Sequence, residues 1–380
     1  MSNNIIFEVH KAHQGDALLI SYAKGSKTKR ILIDGGQANT FSDDPSDLYK
    51  KLREVRREGG CIDLLIITHY DSDHIGGILA MFESREFRTG FIKKVWFNSG
   101  TTIREKYKEV LDRIENEDDY LIQMQDPKRF IVSPGQGYDL QKHLLTQGIW
   151  NDQKLILRLE EHPEIQEELG AKITILSPGP AQLKKLLKHW ETELDIKKHK
   201  VAGQSSRWDY DQTLEELAAK EFTPDKKSPN GSSIAIILEI GGKKLLLLGD
   251  AWAPTIVESL RKLGYSSKNR LKVDYVKVSH HGSKKNTNED LLNLIECSKF
   301  IMSTNGKSHY HPNKECIARI IMDHVKKRNT QKLFFYFNYP NPEFDNLLKV
   351  DGKDVKKKFN FDFFIKYEHK PLRFEMESES

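Results

Sequence analysis

Residues 67–77 read ITHYDSDHIGG, with two histidines and two aspartates between positions 69 and 74. The apolar run CIDLLII (61–67) leads into this stretch and a double glycine ends it. A solvated loop has no packing reason to gather carboxylates and imidazoles this densely. Brought together, they repel or stay unsatisfied unless a cation joins them. An apolar run ending in such a cluster is how an α/β fold presents a site, at the carboxyl end of a strand. The order His69-x-Asp71-x-Asp73-His74 predicts an extended loop in which His69 and Asp71 serve one ion and Asp73 and His74 a second. Gly76 and Gly77 then let the following helix start close by.

Working outward, short β-branched segments alternate with amphipathic ones, which predicts an α/β protein. Strands are expected at 5–10, 17–23, 30–34, 63–69, 93–98, 129–133, 172–177, 233–240, 243–250, 274–280, 298–304 and 332–337, and helices at 44–58, 102–115, 254–264 and 313–327. SIAIILEI-GG-KKLLLLGD reads as a hairpin turning on Gly241 and Gly242. The charged stretch 181–230 departs from the rhythm and reads as a helical insertion followed by a mobile loop. It is taken as part of a domain spanning 1–340. The Lys-rich remainder, 341–380, closes with the strand-like FNFDFFIKY, expected to pack on the same domain as an edge element.

Three further clusters fall at predicted strand ends: IDGG with Asp34, LLGDA with Asp250, and SHHGSKK together with SHYHPN, carrying His280, His281, His309 and His311. Taken singly, Asp34 fits the opening of a β-turn and Asp250 the N-cap of the next helix. Taken together, the clusters predict a metal site, in which Asp250 has an oxygen for each of two ions. Two divalent ions about 3.5–4 Å apart, bridged by hydroxide, suit phosphodiester hydrolysis.

Composition sets the outer bounds. With 30% charged residues and a mean hydropathy of −0.61, the chain reads as a soluble globular protein. No apolar run reaches the roughly 18 residues of a membrane helix. The start, MSNNIIFEVH, has no secretion signal, so a cytoplasmic location is expected. Cys61, Cys297 and Cys316 are scattered and odd in number, giving neither a disulfide framework nor a CxxC zinc site. A formal charge of +5 permits a polyanionic partner without requiring one.

The motifs HQGDALLI, ILIDGG, THYDSDHIGG, ILSPGP, NGSSIAIIL, LLLLGD, VSHHGS and HYHPN follow one another from residue 5 to about 315. In this order they resemble the metallo-β-lactamase-fold hydrolases, within them the branch formed by the hydrolase domain of the competence protein ComEC. The resemblance implies a four-layer αβ/βα sandwich with its site where the two sheets meet. It implies that Asp34 orients ligands without binding metal, as buried partners of metal-bound histidines do. It implies His69, Asp71, Asp73, His74, Asp250 and His311 as ligands of two ions, Zn²⁺ or Mn²⁺. Asp71 stands where most of the superfamily has histidine, which moves that position toward harder ions. It also implies a catalytic centre of Asp73 with His280 and His281, one of the pair protonating the leaving oxygen. Lys284 and Lys285 are candidates for holding phosphate. A further histidine ligand of the first ion has no clear counterpart; His143 and His162 fit by order alone.

The expected function is a two-metal phosphodiesterase, foremost a nuclease on DNA or RNA, with the clusters KKLLKHW, KKHK, DKK, SKK and VKKR following the backbone. A small-substrate hydrolase (a cyclic-nucleotide or phosphorylcholine esterase, or a lactonase) uses the same site. A metal-free binding scaffold is the third reading, set against the survival of Asp73, His74, Asp250 and His311.

Overall fold

The computed structural model describes residues 4–41, 47–87, 90–111, 135–150, 155–158, 165–166, 169–195, 208–307 and 309–378. The strand expected at 129–133, residues 196–207 of the charged stretch 181–230, and His162 lie outside them.

Two sheets carry the architecture. The first runs, edge to edge, Leu372–Glu377, Asn4–Val9, Leu18–Lys24, Lys27–Ile33, Leu64–Ile66 and Val95–Trp96. The second runs Phe361–Ile365, Leu333–Phe337, Lys299–Met302, Tyr275–Lys277, Lys243–Leu247, Ala235–Ile240, Ala171–Ser177 and Ile165–Gln166. The C-terminal stretch thus supplies an edge strand to each sheet. Its last strand, LRFEME, pairs antiparallel with the N-terminal strand, Phe374 opposite Phe7, a partnership that sequence periodicity did not single out.

The apolar runs are continuous because they are buried on both faces. Leu64 and Ile66 pack between the sheets with Ile236, Leu238, Leu245 and Leu247. Their alternates, Leu65 and Ile67, pack against the helices Asp47–Arg57 and Ser72–Glu83. On the far side Ala235, Ile237 and Leu246 meet Ala253–Lys262 and Lys314–Lys326. Helix, sheet, sheet, helix: the four-layer sandwich is present. The Gly241–Gly242 hairpin is present too, with Ile240 opposite Lys243 and both glycines at positive φ. The helix Gly135–Gln147 was not anticipated.

Strands Lys27–Ile33 and Leu64–Ile66 are parallel, as are Lys243–Leu247, Tyr275–Lys277 and Lys299–Met302. Their carboxyl ends therefore open on one edge of the sandwich. There the Ile234 amide of the second sheet donates to the Thr68 carbonyl of the first, at 2.9 Å. Among the described residues, no helix is long and apolar enough to cross a membrane.

Candidate metal centre

The run through 67–77 is only half the extended loop expected. Residues 69–71 are extended, and the helix already starts at Ser72, so Asp73 and His74 sit in its first turn. Asp71 is the N-cap residue, yet its side chain makes no cap hydrogen bond and instead faces His69 Nε2 at 3.7 Å. The double glycines explain the helix's placement. A Cβ on Gly77 would fall 2.0 Å from the Gly35 carbonyl oxygen. The Gly35 amide donates to His74 O at 2.9 Å and the Gly77 amide to Gly36 O at 2.8 Å. Only bare backbone lets the helix rest on the turn after Asp34.

Asp250, at the end of its strand and buried, stands between four imidazoles. Its Oδ1 lies 3.5 Å from His74 Nε2 and 3.7 Å from His281 Nε2. Its Oδ2 lies 3.8 Å from His69 Nε2 and 3.7 Å from His280 Nε2. The aspartates of the loop divide in the same way, Asp73 beside His281 Nε2 at 3.5 Å and Asp71 beside His69. Two half-sites share one carboxylate.

Each ring is held from behind through Nδ1. His74 Nδ1 meets Asp34 Oδ2 at 2.7 Å, and Asp34 also accepts from the Thr68 amide at 2.8 Å and hydroxyl at 2.7 Å. His69 Nδ1 lies 3.1 Å from both Thr68 Oγ1 and Ser233 Oγ. His281 Nδ1 donates to Ser303 O at 2.9 Å, with Asp16 at 3.5 Å. His280 Nδ1 meets Asn286 Oδ1 at 3.0 Å and Asp225 Oδ2 at 3.4 Å. A carbonyl acceptor requires the proton on Nδ1, which leaves the Nε2 lone pair for a metal. Consistent with that, His69 Nε2, His74 Nε2, His281 Nε2 and Asp250 Oδ1 are buried with no hydrogen-bond partner.

The electrostatics point the same way. Burial pushes the His74 imidazole down, but Asp250 and Asp34 outweigh it and hold its pKa well above the usual histidine value. His281, against the same burial, is raised to about 9 by Asp250, Asp16 and Asp73. Asp225 is held down at about 2 by His280 despite its burial. A field that retains protons on buried imidazoles attracts a divalent cation in their place. Among the described residues, groups with ligand atoms within 4.8 Å of one another are His69–His74–Asp250, Asp73–His74–His281, Asp16–Asp34–His74 and Asp16–Asp250–His281. The residues present fit two divalent ions.

The histidines and lysines expected from sequence take these places. His281, expected beside the leaving group, has its Nε2 3.5 Å from Asp73 Oδ2 and 3.7 Å from Asp250 Oδ1. His311, expected as a ligand, faces His280 with ring centroids 5.2 Å apart; like His280 it is outside these groups, and its Nδ1 is buried without a hydrogen-bond partner. His280 Nε2 lies 3.7 Å from Asp250 Oδ2, the oxygen that His69 also faces. His143 stacks on Phe82, 5.9 Å between ring centroids, on the helix Gly135–Gln147. Adjacent His280 and His281 reach opposite oxygens of Asp250 because both are left-handed, at φ 49° and 56°. This backbone is costly for non-glycine residues and is found where surrounding structure over-determines it. Lys284 pairs with Glu315 at 3.6 Å, and neither it nor Lys285 lines the cleft. Among the described residues the lysine that does is Lys227, with Gln14, Asp73, His309 and His311, around about 250 Å³.

Asp16, Asp225, Ser233 and Asn286 were not foreseen. Asp16 forms a buried ion pair with Lys277 at 2.6 Å. Its neighbour Gly15 packs so closely on the Asp73 backbone that a Cβ there would fall 1.6 Å from Asp73 O.

Comparison with known proteins gives three results. Residues 11–303 match the model of the metallo-beta-lactamase superfamily. A 120-residue stretch, 31% of the chain, is 28% identical to ComE operon protein 3 of Bacillus subtilis (strain 168) and spans 15% of that protein's length. Among solved structures, the metallo-beta-lactamase fold protein YhfI from Bacillus subtilis aligns over 98% of this chain and 100% of its own, at 14% identity and a TM-score of 0.39. AidC, a dizinc quorum-quenching lactonase, aligns over 62% of this chain and 56% of its own, at 15% identity and a TM-score of 0.21.

Proposed function

The chain belongs to the metallo-β-lactamase superfamily of metal-binding hydrolases, and from that premise we propose that it is a two-metal phosphodiesterase acting on nucleic acid. One observation carries the two-metal part. Four imidazole Nε2 atoms stand 3.5–3.8 Å from the two oxygens of Asp250, three of those nitrogens buried without partners. His69, Asp71 and His280 would hold one ion, Asp73, His74 and His281 the other, and Asp250 both. Zn²⁺ and Mn²⁺ are the candidates, the carboxylate Asp71 favouring the harder ion. Such ions supply Lewis-acid stabilisation of phosphoryl charge and activation of water.

The remaining steps belong to the chain's own residues. Asp34, Asp225, Ser233 and the Ser303 carbonyl fix the rings and their tautomers. Lys227 faces the cleft as a cation for a non-bridging phosphate oxygen. His309 and His311 border the cleft, and we assign to this pair the leaving oxygen's proton. His311, its ring 5.2 Å from that of His280, suits relay, and the more exposed His309 suits exchange with solvent.

Nucleic acid is preferred as substrate because the cleft is lined by polar and charged residues, with a lysine at its edge. A small phosphodiester such as a cyclic nucleotide is the second reading, favoured by the cleft's modest 250 Å³. The test is a metal screen on labelled single- and double-stranded DNA and RNA, run beside cyclic nucleotides and a p-nitrophenyl phosphodiester. Cleavage of a polynucleotide supports the reading. Turnover of the small compounds alone overturns it in favour of the second.

A further inference from the structure

Behind the 309–311 segment lies a second, larger cavity of about 540 Å³, lined by Trp208, Tyr310, Tyr339 and Tyr367 with Lys11 and Lys307. It adjoins the cleft: Tyr310 lines it while its neighbours His309 and His311 line the cleft. The left-handed backbone at His309 and Tyr310, φ 62° and 57°, separates the directions of these side chains.

The walls are built, and two of the four rings, Tyr310 and Tyr367, are left exposed. Tyr339's hydroxyl accepts the His13 amide at 2.7 Å, and the Asn305 amide donates to His13 O at 2.8 Å. Trp208 meets Tyr310 edge-on, centroids 5.5 Å apart, and Lys11 Nζ stands 4.9 Å from the Tyr339 ring centre. Gly306 is at φ +71°, and a Cβ there would fall 3.0 Å from the Trp208 ring. Tyr310 and Tyr367 nonetheless remain 38% and 70% exposed. Open aromatic faces flanked by ammonium groups suit a flat π-system carrying negative charge.

We propose that this trough is a nucleobase subsite: it stacks a base of a single strand on Tyr310 and Tyr367, with Lys11 and Lys307 on that nucleotide's phosphate, next to the phosphodiester in the cleft. The proposal rests on the nuclease reading above and adds that the substrate is read as an unstacked strand. Duplex ends and single strands fit it, and paired bases do not.

The test compares a short phosphorothioate oligothymidylate, which resists cleavage, with an abasic oligomer of the same backbone, both read by fluorescence anisotropy against the metal-loaded chain. The base-bearing strand is expected to bind more tightly, and Tyr367→Ala combined with Tyr310→Ala to weaken it by about five- to a hundredfold. Abasic binding and turnover of the p-nitrophenyl phosphodiester should stay unchanged, which also reports an intact fold. Equal binding of the two strands by the parent, with nucleic acid still cleaved, overturns the trough alone. Neither binding nor cleavage of nucleic acid, with the small diester turned over, overturns the trough and the nuclease reading together.

Discussion

The Asp34 carboxylate and the His74 imidazole meet at 2.7 Å, and neither side chain reaches solvent. Asp34 occupies the turn after its strand in a left-handed conformation, φ 57°, so the bland reading of a turn residue and the functional one describe the same atom positions. Asp34→Asn retains the shape and can still meet the ring, but removes the charge that fixes its tautomer. Metal affinity is expected to fall about 10–100-fold, with the far-ultraviolet circular dichroism of the parent. Unchanged affinity in a chelator competition would leave Asp34 a turn residue only.

The division of labour between His281 and His311 is open to a direct measurement. His281→Ala removes a donor from the Asp73–His74 half-site and is expected to lower bound metal from about two ions per chain toward one. His311→Ala should retain the parent's metal while slowing turnover by about 10²–10⁴-fold. Elemental analysis of both variants decides it, and loss of metal in His311→Ala alone would restore the ligand role expected from sequence.

Binding to nucleic acid should be steeply salt-dependent, since Lys227 at the cleft and Lys11 and Lys307 at the trough all face positions assigned to phosphate. Each phosphate neutralised on a single strand contributes a slope of about +0.7 in log Kd against log salt. Replacing Lys227 with Ala should flatten the slope by about one such contact. A slope near zero between roughly 50 and 200 mM salt would exclude backbone tracking.

Away from the site, Asp63 predicts how stability varies with pH. Burial pushes its carboxyl up, but Lys93 at 2.9 Å, Lys29 at 3.1 Å and the Arg30 amide at 3.0 Å outweigh it and hold its pKa below the usual carboxylate value. A pKa lowered by folding contributes stability that is present above the unfolded value, about 3.9, and lost as pH falls through the folded one. Asp63→Asn should therefore cost about 1–3 kcal/mol near neutrality. Its denaturation midpoint should converge on the parent's in acid. A gap that persists undiminished at low pH would show that packing, and not charge, is what Asp63 provides.

Much of the protein was legible in its sequence. Continuous apolar runs ending in Asp34, His69, Asp250 and His280 marked strands buried on two faces with their polar ends gathered at one edge. That pattern is local, and hydrophobic burial leaves few other ways to satisfy it. The glycine pairs at 35–36, 76–77 and 241–242 marked close approaches and a turn that a Cβ forbids. Tertiary structure alone decided which imidazole faces which oxygen. His280 and His281 are neighbours, and only a left-handed backbone held by the packing around it sends them to opposite sides of Asp250. Asp16, Asp225 and Ser233 act through single hydrogen bonds or ion pairs to rings up to 265 positions away along the chain, Asp16 to His281 among them. Such contacts leave no period or spacing in the sequence, because their partners meet only after the sheets have packed.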